Sequence, residues 1–534
     1  MKLKVLLTSL FFPLNDGFLF PSTQVNNKIE NTRRRISQKL RVATLPDVFD
    51  ITAEDAEEKS SDNFNWFKSW HPLVPVEYLD EEKPHSFKLL GMDIVVWNDG
   101  AIDKNPLFGS KKERMKGAKK TSGYWRVFVD QCPHRKVPLS QGRIEDDGSL
   151  LCSYHGWRFN GDGEAIDIPQ ISNEKSQVEA ILKNPKSKCN SFPVQIVDGV
   201  LWVWPDSSED SKIESALTKT PAMEFDEGTD PQRVWTGTWN FRELPYGHDF
   251  FIENVVDPAH VPISHHNVVG SRYEDQTLSL KSSQTLTKHG FEIQSITHNS
   301  TAKTTFIAPS KVFIRNDFSE DGGCQYLELL SSPSRPGFCN HVGRMVVVKD
   351  KNNVMPQLLK QFTVPLPKWV NHIASSSFLN QDALFLHSQE RNLSHNKQYR
   401  SSIPGTSDDY ASAILPISVD LGVLKYRTWL KKFAGGSIPF KGDIQMPHTS
   451  NEVVFDVWNA HTKHCKVCLA ALKNLKTTRA LSFFASILLA TIRPKRLGLV
   501  GSTVGAFGFS ALGFLLTKII GMFYRYEFSH ANNH

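Results

Sequence analysis

Between Trp66 and Trp204 the apolar residues fall in short runs that alternate with polar ones. GMDIVVWNDG (91–100) reads as a strand running into a turn, and YWRVFVDQ (124–131) alternates as a strand with one face buried should. Val194–Val197 and Val200–Trp204 flank Asp198-Gly199, a strong two-residue hairpin signal. Residues 65–206 therefore predict a compact all-β domain. From about 216 to 450 the pattern is mixed: RVWTGTWNF (233–241) and the stretch 277–330 predict sheet, while 250–266 and 368–393 predict helices or broken helices. No internal repeat is visible. The tail differs again. Ala480–Ile492 is apolar, Arg493-Pro494-Lys495-Arg496 interrupts it, and Leu497–Leu516 carries no charge for 20 residues. Only the second run is long enough to cross a hydrocarbon core of about 30 Å at about 1.5 Å per residue. The first spans only if its polar ends snorkel, or else lies in the interface. Gly498, Gly501, Gly505, Gly508 and Gly513 suit a helix packed closely in a membrane better than a buried soluble pair. The fold class expected is α+β. Its parts are an all-β domain (65–215), an antiparallel sheet with helices (216–450), a short segment (451–478) and one or two membrane helices (479–525).

Ahead of these lie two further segments. Lys2 and Lys4 precede the apolar run Val5–Phe12. Gly17-Phe18-Leu19-Phe20-Pro21 follows, then a basic stretch with Lys28, Arg33, Arg34, Arg35, Lys39 and Arg41. That order resembles a two-part plastid presequence over 1–45, with a plain secretory peptide or a disordered tail as the alternatives. Residues 46–64 read as an acidic, solvated linker. Over 534 residues the 62 basic and 56 acidic side chains leave a net charge of only +6. This does not argue for nucleic acid, and no nucleic-acid recognition motif is present.

Seven cysteines are an odd number, and four of them sit in tight pairs with a histidine nearby, which favours metal or redox chemistry over a disulfide framework. Cys189, Cys324 and Cys339 lack such company and read as bystanders. CPHRKVPLSQGRIEDDGSLLCSYHGW (132–157) contains Cys132-x-His134 and Cys152-x-x-His155, with 17 residues between His134 and Cys152. Zinc accepts two Cys and two His, but its usual spacings pair Cys with Cys and His with His. One Cys and one His on each arm suit a [2Fe-2S] cluster in which one iron takes both thiolates and the other both imidazoles. Neutral imidazoles reduce the negative charge and raise the potential, so the cluster can take an electron from a ferredoxin-type donor and pass it on.

ENVVDPAHVPISHH (253–266) offers a second constellation, Asp257-x-x-His260-x-x-x-x-His265. Two His and one carboxylate on one face of a ferrous ion leave other positions open for O₂. On a regular helix His260 and His265 would lie some 140° apart, and Pro262 between them favours a break that lets both imidazoles converge. His266 is a rival ligand. The third ligand must come from elsewhere. LNQDALFLHSQE (379–390) offers Asp382 in a helix-like segment, where His387 reads as a packing or surface residue.

Together these stretches, with WHPLVPVEYLDEEKPH, DGVLWVWPD, LPYGHDFFIENVVDPAHVP and QDALFLHSQE, resemble the Rieske non-haem iron oxygenases over about residues 65–478. Specifically, they resemble the chlorophyll-pathway branch with pheophorbide a oxygenase, the protochlorophyllide-linked oxygenase and the envelope translocon Rieske protein. The resemblance implies an N-terminal Rieske domain, a helix-grip-like catalytic domain and a C-terminal membrane-helix hairpin. It implies that Cys132, His134, Cys152 and His155 bind the cluster and that His260, His265 and Asp382 bind mononuclear Fe(II). Asp257 would bridge a mononuclear-iron His to the His155 of a neighbouring subunit in a head-to-tail homotrimer, with Asn254 near the iron. The partners implied are reduced ferredoxin, O₂, a tetrapyrrole and a plastid membrane, envelope or thylakoid. The activity implied is oxygenation of a chlorophyll-derived tetrapyrrole, in its sharpest form opening of the pheophorbide a macrocycle. Oxidation of a chlorin or porphyrin substituent, or a non-catalytic redox role, are the alternatives. WNAHTKHCKVCLAA places Cys465-x-x-Cys468 before the tail, with His461 four residues ahead as in that branch; a redox-regulatory dithiol, half a metal site and two plain helix residues all remain open. Three features depart from the branch: Lys136 in place of an apolar residue, HVPISHH in place of an aromatic-rich run, and an insertion at 101–122 with seven basic and two acidic residues.

Overall fold

The computed structural model describes residues 64–100 and 123–530, apart from 172–173, 222–229, 274–276, 298–300, 318–322, 357–358, 361–362, 402–414, 416–417, 443–444, 447 and 493–497. The expected presequence, nearly all of the acidic linker, the basic insertion and the Arg493–Arg496 interruption lie outside the described residues.

The N-terminal domain is all-β in its framework, as the alternation predicts. Its strands are β1 (His71–Pro75), β2 (His85–Leu89), β3 (Met92–Asn98), β4 (Trp125–Val129), β5 (Arg143–Ile144), β6 (Leu150–Leu151), β7 (Arg158–Phe159), β8 (Ala165–Asp167), β9 (Ser191–Phe192), β10 (Val194–Val197) and β11 (Val200–Val203). They form three antiparallel sheets, ordered β1-β11-β10, β2-β3-β4-β9 and β5-β6-β7-β8. The β10–β11 hairpin turns on Asp198 and Gly199 with φ of +52° and +77°, the double left-handed geometry that matches strand twist. Two short helices are attached, α1 (Lys175–Leu182) and α2 (Ser211–Leu217). Trp97, Trp202 and Trp204 are fully buried here.

The second domain is an eight-stranded antiparallel sheet of β12 (Val234–Thr236), β13 (Asn240–Leu244), β14 (Ser279–Ser282), β15 (Gly290–Ile296), β16 (Thr301–Ile307), β17 (Lys311–Asp317), β18 (Cys324–Arg335) and β19 (Phe338–Val348). β12 and β13 both pair with β19, at successive positions along it. Phe291, Ile293, Phe306, Val312, Leu330 and Val342 of the sheet share a core with Phe251, Ile252, Ala383 and Leu386 from two helices. These helices are α3 (His248–Val255) and α5 (Lys368–Ser401). Between them in sequence lies α4 (Val261–Ser264), and beyond α5 come α6 (Leu421–Phe433) and α7 (Asn451–Val454). The tip of the β18–β19 hairpin reaches into the first domain. Leu90 and Gly91 donate backbone N–H groups to the Pro333 and Ser334 carbonyls at 2.8 Å, and Ser332 Oγ donates to the Pro72 carbonyl at 2.7 Å. One apolar core therefore runs through both domains.

The tail is a helical hairpin, α8 (Lys466–Ile492) and α9 (Gly498–Met522). The apolar run Ala480–Ile492 is thus only the far half of a 27-residue helix that begins inside the Cys-x-x-Cys segment. Both helices are long and apolar enough to cross a membrane, and their most apolar windows are only 11% and 17% buried within the protein. Lys473, Lys476 and Arg479 punctuate the first half of α8, which is why its apolar pattern starts late. The pair packs closely: a Cβ on Gly513 would lie 2.6 Å from the Phe483 ring, and Ser486 Oγ donates to the Ala506 carbonyl at 2.6 Å. After α9 the chain returns to α5. Asn380 Nδ2 donates to the Tyr526 carbonyl at 2.6 Å, and His530 Nε2 donates to the Gln381 carbonyl at the same distance.

Candidate metal centres

The two Cys-His loops of the N-terminal domain have one backbone plan. In the first, the Cys132 N–H donates to the Val137 carbonyl and the Lys136 N–H to the Cys132 carbonyl, both at 2.8 Å. In the second, the Cys152 N–H donates to the Trp157 carbonyl at 2.8 Å and the Gly156 N–H to the Cys152 carbonyl at 2.9 Å. Each loop closes through a left-handed residue four places after its cysteine, Lys136 (φ +59°) and Gly156 (φ +75°). The loops differ in where the imidazole is mounted, two residues after the thiol in one and three in the other. Cys132 and Cys152 are buried against Trp97, Phe128 and Phe159, whereas His134 is exposed and His155 half-buried. The two rings lie 4.7 Å apart, and Trp157 stacks on His134 at 5.0 Å. Backbone N–H groups of His134 and Arg135 are aimed at the Cys132 sulfur. Burial, with Cys152 close by, pushes the Cys132 thiol up to about 11. Thiols inside and imidazoles at the rim are the donor set of a cluster with one buried, sulfur-bound iron and one outer, nitrogen-bound iron, so the residues fit a [2Fe-2S] group.

Sequence reasoning missed the support for these loops. Asp130, itself buried, accepts from Ser140 N at 2.7 Å and from Ser140 Oγ at 2.6 Å, tying the start of the first loop to its end. Its place two residues before Cys132 was the only available signal. Gln170 Nε2 donates to the His155 carbonyl at 2.6 Å.

The second centre is built on helices. α3 ends at Val255, the chain turns through Asp257-Pro258, and the four-residue α4 begins after His260 and ends before His265, with Pro262 in its first turn. This break brings the His260 and His265 rings to 5.6 Å from one another. Asp382 arrives from α5. Its Oδ2 lies 3.0 Å from Nε2 of His265 and 3.6 Å from Nε2 of His260. Each imidazole is aimed by its other nitrogen: His265 Nδ1 donates to Gln381 Oε1 at 2.7 Å, and His260 Nδ1 to the Asp257 carbonyl at 2.6 Å. Phe378 stacks on His265 at 4.0 Å. Burial alone would raise the Asp382 carboxyl; the hydrogen bond and charge of His265, with the charge of His260, outweigh it and hold the group below the usual carboxylate range. Asp382 Oδ1 is buried with no hydrogen-bond partner, a cost of about 1–3 kcal/mol that a bound cation would remove. Two imidazoles and a carboxylate converging on one point fit Fe(II) with open positions.

The remaining predicted residues fall as follows. Asn254 Nδ2 is 3.3 Å from Nε2 of His260. The Asp257 carboxylate accepts from Ala259 N at 2.8 Å through Oδ1, and its side chain is 28% exposed. His266 turns away: its Nδ1 accepts from Arg272 N at 3.1 Å and its ring meets Tyr273. His387 is a packing residue, donating to the Pro245 carbonyl at 2.6 Å. Cys465 and Cys468 are fully buried at the root of α8.

A family described as "Rieske [2Fe-2S] domain" matches residues 69–193, and one described as "Pheophorbide a oxygenase" matches residues 306–400. The chain is 30% identical to pheophorbide a oxygenase of Oryza sativa subsp. japonica, covering 88% of this chain and 86% of that one. It is 28% identical to flavonoid 8-hydroxylase 2 of Ocimum basilicum, covering 94% and 93%. It is 26% identical to protochlorophyllide-dependent translocon component 52 of Arabidopsis thaliana, covering 78% and 75%. All three are described as chloroplastic.

Proposed function

Because the chain belongs to the Rieske non-haem iron oxygenases of the pheophorbide a oxygenase group, we propose that it is a plastid-membrane monooxygenase acting on a chlorophyll-derived tetrapyrrole, most directly opening the pheophorbide a ring. The observation that carries this reading is the match over 88% of the chain at 30% identity. Cys132, His134, Cys152 and His155 would hold the [2Fe-2S] cluster, and His260, His265 and Asp382 the mononuclear iron. When bound, the two centres supply single electrons and a ferrous site for O₂. The protein's part is to orient and to shield. Gln381 and the Asp257 carbonyl hold the Nδ1 protons, so that with iron bound both Nε2 atoms would turn their lone pairs to it beside Asp382. Phe378 walls one side of His265. Ile263, between the two histidines, and Phe385, one turn beyond Asp382, stay about half exposed, at 49% and 50%. Such apolar side chains beside the site suit a large flat substrate drawn from a membrane.

Reduced ferredoxin is the proposed donor. The exposed His134 gives an outer edge for electron entry. The partly exposed Asp257 carboxylate, whose Oδ2 lies 3.6 Å from His260 Nδ1, suits a further hydrogen bond from His155 of the partner subunit in a head-to-tail trimer. A second reading rests on the basil relative, which matches as much of the chain and is named for a flavonoid. The test is turnover with reduced ferredoxin, ¹⁸O₂ and three separate substrates: pheophorbide a, protochlorophyllide and a flavone. One labelled oxygen atom in an opened pheophorbide a product is expected. Label in the flavone alone transfers the assignment to the second reading, and label in none of the three sinks both.

A further inference from the structure

Outside the two iron centres, among the described residues, a third group of metal-ligating side chains converges: His372, His461, Cys465 and Cys468, all buried. His461 Nε2 is 3.2 Å from His372 Nδ1 and 3.3 Å from Cys468 Sγ. His372 Nδ1 is 3.3 Å from Cys468 Sγ and 3.6 Å from Cys465 Sγ. All four ligand atoms lie within 4.8 Å of one another. A tetrahedral ion with Zn–N of about 2.0–2.1 Å and Zn–S of about 2.3 Å places its ligand atoms about 3.3–3.8 Å apart. The four distances of 3.2–3.6 Å match that range closely.

The outward nitrogens strengthen the case. His461 Nδ1 donates to the Phe241 carbonyl at 2.6 Å, and His372 Nε2 faces the Trp239 carbonyl at 3.3 Å. With those N–H groups directed at carbonyls, the two inward nitrogens are lone pairs facing one another. A cation between them resolves that contact, and backbone acceptors behind metal-bound imidazoles are the usual support. A disulfide between Cys465 and Cys468 would take away the thiol protons and leave the lone pairs opposed. Cys465 and Cys468 are 0% and 1% exposed, and Tyr78 and Phe241 pack on the two imidazoles, so a protein reductant has no path to the sulfurs.

We propose that His372, His461, Cys465 and Cys468 form a structural zinc site. It clamps the first turn of α8, and with it the membrane hairpin, to α5, the helix that carries Asp382 ten residues further on. The site is independent of the substrate assignment. It also replaces the regulatory dithiol that the Cys-x-x-Cys spacing suggests.

The experiment is metal analysis and zinc-edge X-ray absorption on the full-length holoprotein from zinc- and iron-replete cells. About one zinc beside about three irons per chain is expected, with two sulfur and two nitrogen neighbours around the zinc. Cys152→Ala should lose the cluster's colour and keep the zinc. Cys468→Ser should lose the zinc, keep the cluster's electron paramagnetic resonance signal and melt several degrees lower. If Cys468→Ser does not fold, the wild-type absorption spectrum decides alone. The proposal is overturned by zinc-free protein, whether the thiols are free or joined as a disulfide. Zinc with only nitrogen and oxygen neighbours, which is a mismetallated iron site, overturns it too, as does zinc that leaves with Cys152.

Discussion

The Cys-His loops and the His260–His265–Asp382 site are built in opposite ways. The loops are self-contained: Cys132 to Trp157 supplies every donor, and short backbone hydrogen bonds fix each loop before any distant residue takes part. The iron site has no local plan. His260 and His265 flank a broken helix, and Asp382 comes from a distant helix whose Gln381 meets His265 across 116 residues. A centre built from turns depends on its own backbone. A centre built between helices depends on everything that places the helices: the sheet core, the C-terminal return over Asn380 and Gln381, and the root of the membrane hairpin.

The sharpest way to break that contrast is Asp382→Ala. It should remove mononuclear iron and lower turnover by at least about 100-fold. The cluster's spectrum should stay unchanged, because among the described residues no backbone hydrogen bond joins the loops to α5. Simultaneous loss of the cluster signal would show that the two centres are not built independently.

A smaller effect is expected from Gln381→Leu, which removes the acceptor behind His265. Iron affinity should fall by about 10–100-fold, and Gln381→Glu, which keeps an acceptor at the same place, should restore most of it. Equal iron affinity in the wild type and the Leu variant would show that packing against Phe378 alone orients the ring.

This contrast also decides what could be read in the chain before its fold was known. The cluster loops were legible because donors, turn formers and flanking strands lie within a few residues of each other. His260 and His265 were legible as a pair, and Pro262 announced the break. Asp382 needed the family resemblance, since nothing local distinguishes it from other carboxylates. Gln381 and Asp130 carry no motif of their own. His372 was illegible as a partner of His461, 89 residues away, because a lone histidine on a helix reads as packing. The sheet was foreseen through 330 and continues through β19, while α8 begins 14 residues before its apolar run (480 minus 466).

A third test bears on the helix side alone. Two turns beyond Asp382, Glu390 is buried and accepts the Gly247 N–H at 2.9 Å. Burial, with Asp249 nearby, pushes its carboxyl up to about 8. A carboxyl raised on folding binds a proton that the unfolded chain has already released. Its contribution is therefore complete below the unfolded value near 4.5 and is lost as pH rises towards 8. Between pH 5 and pH 9 the wild type should lose a few kcal/mol more stability than Glu390→Gln, measured by denaturant unfolding at each pH. Parallel stability curves for the two proteins would show that Glu390 is ionised in the fold.

The smallest effect separates the two loops from one another. Lys136 and Gly156 occupy equivalent left-handed positions, but only glycine adopts that geometry without a Cβ penalty of about 1–2 kcal/mol. Lys136→Gly should therefore stabilise the N-terminal domain by about 0.5–1 kcal/mol, after the extra backbone freedom of glycine in the unfolded chain is set against the relief. Lys136→Ala keeps the Cβ and should bring no gain, although it removes the same charge from a site two residues beyond His134. The reciprocal change is harsher. In Gly156→Ala the new Cβ takes on the strained φ and also comes within 3.1 Å of Pro169, so it should destabilise by more than Lys136→Gly stabilises. If Lys136→Gly and Lys136→Ala melt together, the charge and not the backbone governs that position. The two loops would then share a hydrogen-bond plan without sharing its energetics.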